Sequence, residues 1–295
     1  MTTLAALLRT MRPKQWVKNI FVFVALAFDV KFTQSEPLLR TIAAFLLFCL
    51  VSSAVYLLND VVDREKDRTH PRKRHRPLAA GLLSPRTALI AMALLLVVSL
   101  PLGWRVDARL GLILLAYFVV NIAYSFWLKH VVIIDALTVA AGFVLRVVAG
   151  VVVVDVTRFS PWLYVCITLG ALLIALGKRR AEIVGLEEDA SNHRAILDEY
   201  SLAFVDQLIG LITAATIVSY SLYTFSAENV PGNHLMMLTI PLALYFFFRY
   251  LYLIQVKGLG GAPDELLFQD RPLLLTALLW GLMAVGVLYF SNHHA

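Results

Sequence analysis

Cysteine is nearly missing. Cys49 and Cys166 are the only two in 295 residues, and both lie inside apolar runs. A disulfide framework or a thiolate metal centre is therefore excluded as the organising principle, and packing is their expected role. Charge is scarce too: 16% of residues, against roughly 25% in a soluble domain. No polar stretch is long enough to enclose a core of its own, so no soluble domain is expected. A Walker-type Gly-Lys-Ser/Thr loop and a zinc-spaced Cys/His set are both missing. The basic N-terminus runs into a full apolar segment without a small-residue cleavage site, so no cleavable signal is expected.

Apolar residues fill the space. They make up 60% of the chain, and the mean hydropathy is +0.76. The reading is an all-α, polytopic membrane bundle forming a single domain over 1–295. A helix needs about 20 apolar residues to cross a bilayer. Nine segments qualify: 17–33, 38–59, 85–104, 108–128, 131–154, 160–180, 204–226, 233–255 and 270–291. Nineteen Lys and Arg fall in one set of connections and five in the opposite set; Arg146 and Arg249 lie within spans. That bias places the N-terminus and the loops at 60–86, 129, 178–200 and 256–270 on the cytoplasmic side of the cell membrane. His293 and His294 then read as an outward-facing frayed tail. The net charge of +6 reflects this topology, and no nucleic-acid partner is expected.

The chemistry concentrates where the second span ends, at Asn59-Asp60-Val61-Val62-Asp63-Arg64-Glu65-Lys66-Asp67. At about 100° per residue, Asn59, Asp60, Asp63 and Asp67 share roughly 100° of one helical face. Three carboxylates and an amide crowded there repel one another unless a cation sits among them. Hard oxygen ligands suit Mg²⁺, which also binds substrate phosphates. A solvated acidic helix end is the plainer alternative; carboxylate clusters at a membrane boundary more often mark function.

Cationic and titratable side chains crowd the next stretch, His70-Pro71-Arg72-Lys73-Arg74-His75-Arg76. A topology signal with lipid-headgroup contact explains that run taken alone. Beside a metal site, a substrate phosphate gripped by Arg72, Lys73 and Arg76 explains it better. Trp16 and its basic neighbours suit an interfacial anchor, whereas Lys18 lies deeper and is a candidate phosphate ligand.

Lys178-Arg179-Arg180-Ala181-Glu182 ends the sixth span. Lys178 and Glu182 are spaced as an i,i+4 pair, and the stretch beyond, 187–200, reads as a polar helix or lid. Asp135 and Arg146 share a face of the fifth span, but about 16 Å separates them, so each needs another partner. Asp135 is placed to orient a cation. Asp206 and Gln207 are weaker candidates for a pocket lining.

Asn59-Asp60-x-x-Asp63-x-x-x-Asp67, Arg76-Pro77-Leu78-x-x-Gly81 and Tyr124-Ser125-x-x-Leu128-Lys129 together resemble the motifs of the UbiA superfamily of intramembrane prenyltransferases. Aromatic prenyltransferases of that superfamily carry a second acidic motif on the sixth span, where this chain has Lys178-Arg179-Arg180-Ala181-Glu182. That swap, with Arg12-Pro13-Lys14-Gln15-Trp16-Val17-Lys18-Asn19, is similar to the decaprenyl-phosphate phosphoribosyltransferase branch.

The resemblance implies transfer of 5-phosphoribose from phosphoribosyl pyrophosphate to a polyprenyl phosphate, for arabinan of the cell wall. It implies Mg²⁺ on Asn59, Asp60, Asp63 and Asp67 as the catalytic centre. Substrate contacts are expected from Lys18, Arg72, Lys73, Arg76, Tyr124, Lys129, Asp135, Lys178, Arg179 and Glu182. The donor brings a diphosphate and a 5-phosphate and the acceptor a further phosphate, so more cations and fewer carboxylates fit the ligands. Prenyl transfer to an aromatic or tetrapyrrole acceptor, and transport or lipid binding without chemistry, are the rival expectations.

Overall fold

The computed structural model describes residues 2–71, 73–156, 160–188, 199–228, 230–259 and 263–293. Arg72, and positions 189–198 of the expected lid, lie outside the described residues. The described residues are helical, with no strand among them. Among the described residues, eight helices are long and apolar enough to cross a membrane. The chain divides into two compact units, one of Met1–Leu26, Phe32–Lys129 and Leu145–Asp155, the other of Ala27–Lys31, His130–Val144 and Val156–Ala295.

In the first unit, helix α1 (Thr3–Met11) begins where the Thr2 hydroxyl accepts from the Ala5 N–H at 3.3 Å. The segment expected to be the first span departs from expectation. Pro13–Phe23 is a 3₁₀-helix, followed by a short α2 (Val24–Phe28). Eleven residues is long for a 3₁₀-helix, and the side chains supply a reason. At three residues per turn Trp16, Asn19 and Val22 stack on one face. That face meets α3 (Ser35–Val62): Trp16 Nε1 donates to Ser53 Oγ at 3.0 Å and Asn19 Nδ2 to Cys49 Sγ at 3.3 Å. Val17 and Ile20 point away and are exposed. Cys49 is thus a buried thiol in a packing role.

Arg146 consolidates this region. It donates to Asn19 Oδ1 at 2.7 Å and Tyr117 Oη at 2.9 Å and lies over the Tyr117 ring at 4.7 Å. Gly150 allows the close approach, because a Cβ there would stand 2.1 Å from the Val22 carbonyl oxygen. Helix α4 (Arg64–Thr69) follows α3, and α5 (Pro85–Val106) and α6 (Ala108–Phe126) come next in the unit. Ser84 and Asp107 cap these last two. Ala6, Leu57, Leu78, Leu83 and Ala88 form a buried core that seats α1 on α3.

Helix α7 (Ile134–Val154) begins in the second unit and ends in the first. The second unit continues with α8 (Pro161–Glu188), α9 (Leu202–Ser226), α10 (Ile240–Gln255), α11 (Pro263–Gln269) and α12 (Arg271–His293). Leu176, Ile209, Tyr250, Ile254 and Leu273 are buried at its centre. Tyr220, Tyr223 and Met236 form a second cluster, in which Trp280 Nε1 donates to Tyr220 Oη at 2.7 Å. The many exposed Leu, Val and Phe of both units suit a lipid surround.

Candidate active site

The acidic motif does not lie on one uninterrupted helix. Asn59 and Asp60 occupy the last turn of α3, Asp63 ends it with φ −89° and ψ 4°, and Asp67 belongs to α4. Helical pitch nevertheless carries across the break. The Asp63 N–H donates to the Asn59 carbonyl at 2.9 Å, and the Asp67 N–H donates to the Asp63 carbonyl at 2.8 Å.

Each carboxylate faces a cation. Asp60, 2% exposed, accepts from Arg12 and, at 3.4 Å, from Arg76 Nη1. The same Arg76 nitrogen donates to Asp67 Oδ2 at 2.7 Å, so one guanidinium joins the end of α3 to α4. Lys129 Nζ donates to Asp63 Oδ1 at 2.8 Å, and Ser125 donates to Asn59 Oδ1. The turn at 76–83 explains how Arg76 reaches the site. Leu78 plugs the core beneath, Gly81 takes φ +75°, and the N–H groups of Leu82 and Leu83 donate to the Pro77 carbonyl at 2.8 and 3.2 Å.

The donor set is all oxygen, which is the chemistry Mg²⁺ takes. Among the described residues no group of three or more His, Cys, Asp or Glu converges on one point. The three carboxylates are instead balanced by Arg12, Arg76 and Lys129. A bare divalent ion added there has no charge to neutralise, whereas an ion carrying a diphosphate brings its own. The residues fit a metal–diphosphate.

Lys18, Lys73 and Tyr124 are half-buried in this unit, and the Lys73 N–H donates to His70 Nδ1 at 3.3 Å. Arg12 reads in the sequence as part of an anchor, and Ser125 as a motif neighbour of Tyr124 with no role of its own. The signal for Ser125 was its place beside Tyr124 in the motif. The signal for Arg12 was its place at the head of the 12–19 stretch that carries the resemblance, but nothing there points to Asp60 as its partner.

The second unit carries a separate charged cluster. Asp135 is fully buried and accepts from Arg179 Nε at 2.5 Å and from Tyr200 Oη at 2.8 Å. It does orient a cation, and neither it nor Arg146 depends on the other. The Tyr200 hydroxyl also accepts the Ile133 N–H at 2.6 Å, holding Ile133 at φ +69°, an unusual conformation for a β-branched residue. Burial pushes the Tyr200 hydroxyl up to about 12.

Glu182 is engaged by Arg179 one turn back rather than through the i,i+4 spacing alone. Lys178 is exposed, whereas Arg179 and Arg180 are buried. Arg180 donates to Asp206 at 2.7 Å and to the Ile254 carbonyl at 2.7 Å. Asp206, weighed as a pocket lining, is therefore a tie between α8 and α9. Tyr200 was missed as a site residue because its partner lies 65 positions away.

Residues 19–255 match the model of the UbiA prenyltransferase family. The chain is 32% identical over 300 residues to a decaprenyl-phosphate phosphoribosyltransferase of Mycolicibacterium smegmatis, covering 97% of this chain and 93% of that one. It is 33% identical over 293 residues to a protein of the same name from Corynebacterium glutamicum, covering 96% and 86%. In fold it is similar to a UbiA homolog from Archaeoglobus fulgidus solved with GPP and Mg²⁺. The TM-score is 0.74 at 18% identity, over 96% of this chain and 99% of that one.

Proposed function

The chain belongs to the UbiA prenyltransferase family, and we propose that it is the enzyme that transfers 5-phosphoribose from phosphoribosyl pyrophosphate to a polyprenyl phosphate. The observation that carries this reading is nearly full-length similarity, on both sides, to relatives bearing that name. Lys178 and Arg179 support it, standing where aromatic prenyltransferases of the superfamily carry a second acidic motif. We read residues 1–295 as one transferase domain in the cell membrane, its acidic motif facing the cytoplasm, with a product destined for cell-wall arabinan.

Asn59, Asp60, Asp63 and Asp67 would hold the Mg²⁺. Bound there, it neutralises charge on the pyrophosphate leaving group. Arg76 and Lys129 already stand at the carboxylates and can turn donors toward phosphate oxygens. Lys18, Arg72, Lys73 and Tyr124 are assigned to the phosphates of donor and acceptor from their place in the motifs. In the second unit, Lys178 and Arg179 are assigned as phosphate contacts, with Asp135 and Glu182 fixing the Arg179 guanidinium.

In the reaction the bond between ribose C1 and the pyrophosphate oxygen breaks, its electron pair leaving with pyrophosphate. An oxygen of the lipid phosphate bonds to C1 from the opposite face, with inversion. That nucleophile is already anionic, so no protein base is required. Catalysis is positioning and charge stabilisation.

The test is purified protein with Mg²⁺, labelled phosphoribosyl pyrophosphate and a polyprenyl phosphate. A labelled lipid and released pyrophosphate are expected. No labelled lipid, with turnover of a prenyl diphosphate and an aromatic acid instead, would assign the chain to prenyl transfer.

A further inference from the structure

Arg12 touches the acidic motif directly, although it lies in a stretch that reads as an anchor. Its guanidinium bonds Asp60 and lies 4.9 Å from the centre of the Tyr56 ring. The chain meets α3 on both flanks, through a backbone carbonyl on one side and an indole on the other. The Ser53 hydroxyl, whose proton is shared between the Cys49 carbonyl at 2.7 Å and the Met11 carbonyl at 3.2 Å, accepts from Trp16 Nε1 at 3.0 Å. Arg12 itself is left-handed, with φ 53° and ψ 61°, between α1 and the 3₁₀ segment. Ala6, Leu57 and Leu78 seat α1 from the other side. These contacts hold Arg12 beside the end of α3.

Asp60 Oδ1 is a contested atom. It accepts from both Arg12 and Arg76. Arg76 has a second and shorter bond to Asp67. Among the described residues, Asp60 is the one carboxylate that Arg12 bonds. Any metal ion held by that oxygen must therefore compete with Arg12, which, unlike Arg76, has no second carboxylate to hold it back when a diphosphate is present. A planar guanidinium binds phosphate oxygens in pairs, which a single contested carboxylate oxygen does not match.

We propose that Arg12 is a charge-exchange residue: it holds Asp60 against a bare divalent ion, and yields that oxygen when a diphosphate takes its guanidinium. The ion is then recruited together with the donor rather than ahead of it. This rests on the reading of Asp60 as a metal ligand given above. Arg12 is accordingly a substrate-contacting residue as well as a counter-ion.

Two binding measurements on the purified full-length protein test it, neither requiring turnover. The first is titration with Mn²⁺ alone, with the unbound ion read by electron paramagnetic resonance. The second is retention of labelled inorganic pyrophosphate at saturating Mg²⁺. Arg12→Gln is expected to tighten Mn²⁺ binding about tenfold and to weaken pyrophosphate retention about tenfold. Arg64→Gln removes a neighbouring charge that stands 4.0 Å from Glu65, and is expected to change Mn²⁺ binding by less than about threefold.

Equal effects of Arg64→Gln and Arg12→Gln on Mn²⁺ would overturn the proposal in favour of a general field. Unchanged pyrophosphate retention in Arg12→Gln would overturn it as well. Should Arg12→Gln fail to elute as folded protein, Arg12→Lys decides: weaker pyrophosphate retention supports the exchange, and wild-type retention rejects it. Asp60→Asn separates the two levels. If it leaves Mn²⁺ binding intact, the metal-site reading itself fails; if it abolishes binding while Arg12→Gln changes nothing, only the role of Arg12 falls.

Discussion

Lys129 and Asp63, sixty-six residues apart in the chain, meet at 2.8 Å, with Lys129 buried and Asp63 more than a quarter exposed. The pair brings the residue that ends α3 against the turn that follows α6. It also joins two motifs that sequence alone offers only as separate signals. Removing Lys129 leaves a carboxylate that water can still reach, so the structural cost is moderate and the functional cost larger. Lys129→Met is expected to lower stability by about 1–2 kcal/mol, below the value for a fully buried pair. Phosphoribosyl transfer should fall at least about a hundredfold, on the scale of losing a positioned charge. Thermal unfolding in detergent and the labelled-lipid assay measure both; transfer within threefold of wild type would remove Lys129 from the site.

Asp60→Asn and Asp63→Asn keep shape and remove charge. Each is expected to abolish transfer while the protein still extracts and elutes as wild type. The two should differ in stability. Asp60 is buried against two guanidinium groups, so its loss is expected to cost about 1–3 kcal/mol, and Asp63→Asn less. Turnover unchanged in either variant would dissociate these oxygens from the chemistry.

The bundle was legible because its signal is long-range in character but local in form: runs of about 20 apolar residues need no partner to be recognised. The exception shows the limit. Residues 17–33 have the hydropathy of a span, yet the run begins as a 3₁₀-helix, in which a spacing of three lets Trp16 and Asn19 reach a hydroxyl and a thiol on α3 and buries Val22 on the same face. Hydropathy does not see that spacing. The acidic motif was legible as a cluster, and its neutralisation was not. Arg12, Arg76 and Lys129 come from three different connections, and only folding shows which carboxylate each one takes. Similarly, the length of α7 showed that Asp135 and Arg146 needed other partners, but not that these would be Arg179 with Tyr200, and Asn19 with Tyr117.

Tyr200 is the hinge of the second cluster: its hydroxyl donates to Asp135 and accepts from Ile133. Tyr200→Phe removes both bonds, leaves a buried carboxylate with one fewer donor and loosens a turn held in the left-handed region. A loss of about 1–3 kcal/mol is expected. Because Arg179 is still bonded by Asp135 and Glu182, the expected kinetic signature is a raised KM for the donor with kcat largely kept. A fall in kcat with KM unchanged would argue against this positioning role.

Asp270, the residue just before α12 begins, supplies a pH test. It accepts Arg249 Nε at 3.2 Å and Nη2 at 2.7 Å, and it caps α12 by accepting the Leu273 N–H at 2.9 Å. The Arg249 bonds hold its carboxyl below the usual carboxylate range. The unfolded chain takes up that proton near pH 3.9, the folded chain only at lower pH. Ionised Asp270 therefore adds stability above about pH 4, and the contribution disappears as pH falls through the folded value. Asp270→Asn keeps a good capping side chain and discards the charge. The melting temperature of wild type should exceed that of the variant by a constant margin from pH 7 to about pH 5, with the gap closing below about pH 4. A margin that persists at pH 3 would mean that Asp270 holds α12 through its shape and its cap alone, with no contribution from the ion pair.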